Sequence, residues 1–266
     1  MEKNRKRTSA VKKIILFGLS FIVIASMLYY TVMSLISTSK KISEINNNYS
    51  FKQIEKTTID ERFFTDSSFV EIQKEKAYIQ SRVAMAESDS IGLTLNFKDS
   101  LAFLEINGVV VHKTKISFQR ICKAFNKANS YAVSSMLSSP LNIVKDTATI
   151  KKIPLMVKMA PKDTSEYKPN EIPDTSGFEP VNYILELNNG IRLFVYQEEN
   201  DKFKDVYSQV LFDLTDRIKN TLEALRRITA FEIPEYRLYI KIRMPKKDAK
   251  IIYRAIPKKG LITVFW

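Results

Sequence analysis

The 266-residue chain carries a formal net charge of +13, 45% hydrophobic residues, 16 Phe and 12 Tyr; that apolar share excludes a disordered polymer and is enough for one well-filled core. A single Cys excludes an intramolecular disulfide, and with only one His the common zinc ligand sets are out of reach. Six Gly is few for a glycine-cradled nucleotide site, and neither GxGxxG nor GxxxxGK followed by Ser or Thr occurs.

The chain opens with a basic head, residues 1–13, in which Lys3, Arg5, Lys6, Arg7, Lys12 and Lys13 face only Glu2. Residues 14–36 (IILFGLSFIVIASMLYYTVMSLI) contain no charge. As a helix they cover roughly 34 Å, enough to cross a hydrocarbon core of about 30 Å. A cleaved signal peptide has a shorter apolar stretch of about 7–15 residues, and this run lacks a small-x-small cleavage site. The cation-rich flank predicts a single span with a cytoplasmic N-terminus and everything from Lys40 onward translocated.

Residues 37–66 are polar and read as a tether. Val70, Ile72, Ala77, Ile79 and Val83 recur at near-helical spacing and predict a helical connector over 67–89. Alternation then predicts strands over 91–97, 101–106 and 109–117, a meander whose second turn is Asn107-Gly108, two residues that tolerate the positive φ of a type I′ turn. Residues 118–137 read as a helix interrupted near 126–130, residues 153–159 as a strand, and the four-Pro segment 160–179 as an exposed loop. A second hairpin spans 181–187 and 191–197 around Asn188-Asn189-Gly190. Residues 202–229 form the most regular helical pattern, with Val206, Val210, Leu214, Ile218, Leu222 and Leu225 as a stripe expected to face the core. Strand 236–244, helix 247–255 and strand 261–266 complete an α+β domain over 90–266, mostly antiparallel and sandwich-like, with a few helices.

The C-terminal segment YIKIRMPKKDAKIIYRAIPKKGLITVF, with Ile242-Arg243-Met244, Asp248-Ala249, Tyr253 and Gly260, resembles the part of L,D-transpeptidases of the YkuD type that follows the nucleophile. The first meander and PVNYILELNNGIRLFV resemble earlier parts of the same domain. The resemblance implies a β-sandwich and a cell-wall setting, which with the expected span places the protein in a bacterial inner membrane with its C-terminal domain in the periplasm. It also implies a lost active site: Lys241 stands where the family has its nucleophilic Cys, Leu238, Tyr239 and Ile240 replace the preceding Ser, His and Gly, and no His occurs in 194–197. Acyl transfer needs a thiolate and a neighbouring imidazole.

Strand alternation puts Arg237, Tyr239, Lys241 and Arg243 on one face and Leu238, Ile240 and Ile242 on the other. With Tyr196 from the preceding hairpin, the former active-site face becomes cationic and aromatic, either a binding surface or a solvated one. His112 and Cys122 as a relocated dyad lack a third orienting group, and a lone Cys is most often a buried small hydrophobe. Asp163, Glu166, Glu171 and Asp174 lie in the loop without a fixed separation, so no catalytic, cofactor or metal site is expected.

Beyond the head, the cationic excess that begins at Lys40 and Lys41 suits an anionic neighbour: lipid headgroups, an acidic envelope polymer such as peptidoglycan, or an acidic protein partner. Nucleic acid is not expected for a translocated domain. Three functions remain open: a catalytically silent transpeptidase-like module that binds peptidoglycan or a protein, a structural subunit of a secretion, conjugation or motility assembly, and a cell-wall enzyme with unrecognised chemistry.

Overall fold

The computed structural model describes residues 2–49, 67–152, 179–199 and 203–266, with side chains from residue 16 onward. The chain divides into two compact units, one of residues 1–44 and 217–236, the other of residues 45–216 and 237–266. The expected strand at 153–159 and almost all of the loop that follows, with its four carboxylates, lie outside the described residues.

The first unit is built on α1 (Glu2–Asn48), which contains one helical segment, from Leu16, long and apolar enough to cross a membrane. Polar composition alone does not end it. Residues 37–48, expected as tether, continue the helix because they contain neither Pro nor Gly, and Lys41 pairs with Glu44 at 3.2 Å one turn on. Ser37 is buried and its hydroxyl donates to the Pro234 carbonyl at 2.5 Å. Pro234 follows the end of α5 (Phe203–Thr229), whose second half belongs to this unit. There the Phe231 and Glu232 amides donate to the Ile228 and Arg227 carbonyls at 3.0 and 2.9 Å, a Schellman closure with Phe231 at φ 58°.

The second unit is a mixed α/β body. Its strands are β1 (Gly92–Asn96), β2 (Leu101–Ile106), β3 (Val109–Lys115), β4 (Phe118–Ile121), β5 (Leu141–Ala148), β6 (Asn182–Leu187), β7 (Ile191–Gln197), β8 (Leu238–Met244) and β9 (Leu261–Phe265). They join in the order β3-β2-β1-β9-β5-β6-β7-β8-β4, and only β1–β9 and β7–β8 run parallel. β3 and β4 stand at opposite ends of that order, yet only Ile116 and Ser117 separate them in sequence. β5 joins the two halves, pairing with β9 through Leu141 and Asn142 and with β6 from Ile143 onward, with a register shift between Ile143 and Lys145.

The helix α2 (Ser67–Ala86) meets its sequence expectation and packs on β9: Tyr78 stacks on Phe265 at 4.6 Å and the Ser81 and Thr263 hydroxyls share a hydrogen bond of 3.0 Å. The turn after β2 has Asn107 at φ 49° and Gly108 at φ 79°, as the hairpin reading requires. Two short helices, α3 (Lys123–Lys127) and α4 (Ser130–Leu137), follow β4, and α6 (Lys246–Ala255) links β8 to β9. Phe118, Ile121, Cys122 and Phe125 have helical spacing, but 118–121 is strand: pairing of Phe118–Ile121 with Arg243–Ile240 overrides the local period. β5 was not expected, since Asp, Lys and Asn dilute its apolar alternation.

Candidate functional site

The candidate face read from the sequence is built on β7 and β8, whose parallel register sets Arg192 beside Tyr239, Phe194 beside Lys241 and Tyr196 beside Arg243. Leu238, Ile240, Ile242 and Met244 are buried while Tyr239, Lys241 and Arg243 are partly exposed, as alternation predicts. Arg237 lies just before β8 and is partly exposed. β4 sets Phe118 opposite Arg243, with the guanidinium 5.8 Å from the Phe118 ring centre.

This face is covered by the first half of α5. The Tyr196 hydroxyl donates to Asp213 Oδ1 at 2.6 Å. Lys241 Nζ lies 3.3 Å from the Tyr196 oxygen and 4.0 Å from Asp213 Oδ2. The same ammonium sits 4.7, 5.6 and 6.0 Å from the ring centres of Phe194, Tyr196 and Tyr239, within cation–π range. Arg192, with 8% of its side chain exposed, makes a fork to both oxygens of Asp216 at 3.0 and 2.5 Å and stands 3.4 Å from Glu186. Lys246 and Asp205 approach to 4.0 Å. Phe212 packs on the apolar cluster of Ile184, Phe194 and Tyr196.

The expected cationic face therefore carries its own counter-charges. Asp205, Asp213 and Asp216 supply them from the polar side of α5, turned toward the sheet. The apolar stripe, expected to be core, faces outward: Val206, Val210, Leu214, Ile218, Leu222 and Leu225 each leave 43–60% of their surface exposed. The sequence held the signal for this inversion. The three aspartates recur at helical spacing opposite the stripe, but a helix's polar side is ordinarily assigned to water.

His112 and Cys122 take up separate duties. His112 Nε2 is 3.1 Å from Asp248 Oδ1, and the Thr114 hydroxyl donates to Asp248 Oδ2 at 2.7 Å, so the first turn of α6 holds β3. Cys122 is fully buried, which pushes its thiol pKa up, and its amide donates to the Tyr239 carbonyl at 3.0 Å. A buried thiol held protonated is the opposite of an activated nucleophile.

The other positions that carry the resemblance serve packing. Ala249 is fully buried, and a Cβ at Gly260 would meet Ile256 Cγ2 at 2.5 Å. Tyr253 donates to Asp146 Oδ2 at 2.9 Å beside the ring of Tyr183, 4.9 Å away. Burial drives the pKa of both phenols far upward, helped at Tyr253 by Asp146. Among the described residues no group of three His, Cys, Asp or Glu is placed to hold a metal ion. No family model, no curated protein and no solved structure matches the chain.

Proposed function

We propose that this chain is a single-pass protein of a bacterial inner membrane, N-terminus inside, whose periplasmic domain is a degenerate L,D-transpeptidase-like sandwich that works by binding rather than by chemistry. The observation that carries the reading is Lys241. It stands where the resembled family keeps its nucleophile, and its ammonium is engaged by Tyr196, Asp213 and three rings under α5. The passage from β3 to β4 between the ends of the strand order, with the register shift in β5, supports a two-layer sandwich.

The ligand is anionic. No Asp or Glu occurs between Glu105 and Asp146, and within that stretch Lys113, Lys115, Arg120, Lys123, Lys127 and Lys145 are exposed. A cationic strip along β3, β4 and α3 fits a polymer bearing spaced carboxylates, and peptidoglycan stem peptides are the one within reach of a periplasmic domain. Full-length protein in mild detergent, sedimented with insoluble cell wall, tests this. Retention should exceed that of a charge-matched control, fall when Lys113, Lys115 and Arg120 are changed together to Gln, and survive Lys241→Met. Retention no greater than the control's removes wall binding and leaves a protein partner, to be sought by cross-linking in native membranes.

A further inference from the structure

Surface helices normally turn their apolar stripe to the core; α5 does the reverse. Its inward side carries Asp213 and Asp216 onto the sheet cations Lys241 and Arg192 and Asp205 toward Lys246 at the start of α6, and its apolar stripe runs outward along 203–225, where Phe203 is 86% exposed. The margins of the stripe are basic: Lys204, Arg217, Lys219 and Arg226 are all exposed. Beyond the helix, Phe231 is 84% exposed and occupies the left-handed position of the closing turn, where Gly is usual. A bulky residue held in that conformation with its ring in solvent has no packing reason among the described residues. A strained, exposed position of this sort points to a functional contact.

We propose that the outward face of α5, with Phe231, docks on the outer leaflet of the bilayer in which α1 is anchored, preferring anionic headgroups. The inference rests on the reading of α1 as a membrane span. Two observations select lipid. Ser37 follows the last apolar residue of the expected span, and its buried hydroxyl holds the Pro234 carbonyl, so the segment closing α5 is tied to the point where the span leaves the hydrocarbon. The stripe also has the make-up of an interfacial helix, with aliphatic and aromatic residues on one side and Lys and Arg along its margins. Acidic headgroups complement those margins, whereas a second copy packed stripe to stripe would set like charges together.

The test uses the full chain with Cys122→Ser and one nitroxide-labelled cysteine at a time, at Leu28, Leu214, Leu222 or Lys115, reconstituted at one copy per nanodisc. Discs are made of phosphatidylcholine with and without phosphatidylglycerol. Collisions with oxygen, which partitions into lipid, are compared with those of a water-soluble nickel chelate. The expected result is an oxygen-to-nickel ratio at Leu214 and Leu222 several-fold above that at Lys115. The ratio should fall when phosphatidylglycerol is omitted and when Phe231→Gly is introduced, a change that suits the turn geometry and so does not disturb folding. Water-like ratios at Leu214 and Leu222 with a lipid-like Leu28 overturn the docking and leave the anchor standing; a water-like Leu28 overturns both. Labels on α5 shielded from both reagents overturn lipid docking in favour of protein cover: a second copy if shielding needs two copies per disc, another protein if it occurs only in discs cut from native membranes.

Discussion

Asp216→Asn isolates the attachment of α5 to the sheet. Arg192 is nearly buried, and its guanidinium forks onto Asp216 while Glu186 stands 3.4 Å away. Removing one partner of a buried pair costs about 3–5 kcal/mol because it strands the other charge. Glu186 remains to take part of that charge, which brings the expected loss to about 2–3 kcal/mol. Cys122 supplies the assay. Its side chain is fully buried and its amide is bonded to Tyr239 on β8, so a maleimide reaches it only when that part of the domain opens. When closing outpaces labelling, the rate in native conditions tracks the opening equilibrium. A loss of that size accelerates labelling roughly 30- to 150-fold. Arg192→Met with Asp216→Leu should recover most of it, since apolar replacement of a buried pair is often neutral. A change in Asp216→Asn below about twofold, the size of an ordinary surface substitution, would refute the attachment.

Lys241→Glu sets a carboxylate about where the ammonium now lies, 4.0 Å from Asp213. With both side chains partly exposed the net penalty is about 1–2 kcal/mol, read as a lower melting midpoint, whereas Lys241→Met should cost less. Tyr183 is fully buried, its hydroxyl has no hydrogen-bond partner among the described residues, and its pKa is far above the ordinary phenol range. The unfolded chain releases that proton near pH 10 while the folded chain keeps it, so stability is full below about pH 10 and declines above it. Tyr183→Phe should flatten that alkaline decline and raise stability at neutral pH by about 1 kcal/mol; an equally steep decline would show that Tyr183 does not drive it. A reporter active only outside the cytoplasm, fused after Trp266, should be active, and activity of a cytoplasmic reporter at the same point would reverse the topology.

Most strands were legible because their signals are local. Asn107-Gly108 and Asn188-Asn189-Gly190 mark hairpins by their own φ preferences, and the alternation of β8 fixes which of its side chains are buried. β4 was misread because its pairing partner, β8, lies some 120 residues away in sequence, and no local pattern records such a contact. The α5 stripe was read correctly as a stripe and wrongly as core. Periodicity shows that one side of a helix is apolar, not which side meets the body. That is decided by Arg192 and Lys241 on the sheet and Lys246 at the start of α6, whose charges need Asp216, Asp213 and Asp205 more than the sheet needs further apolar cover. The candidate face was legible residue by residue, and its occupation by a helix of the same chain was not.

Lysine acylation of the full chain in nanodiscs, quantified peptide by peptide, tests most directly whether α5 covers the candidate face of β7 and β8. The ammonium of Lys241 is held beneath α5, while Lys115 and Lys123 are exposed. The account predicts that Lys241 is acylated far more slowly than Lys115 and Lys123, and that Asp216→Asn brings its rate toward theirs. Acylation of Lys241 as fast as that of Lys115 and Lys123 in the unaltered protein would mean an open face and would contradict it.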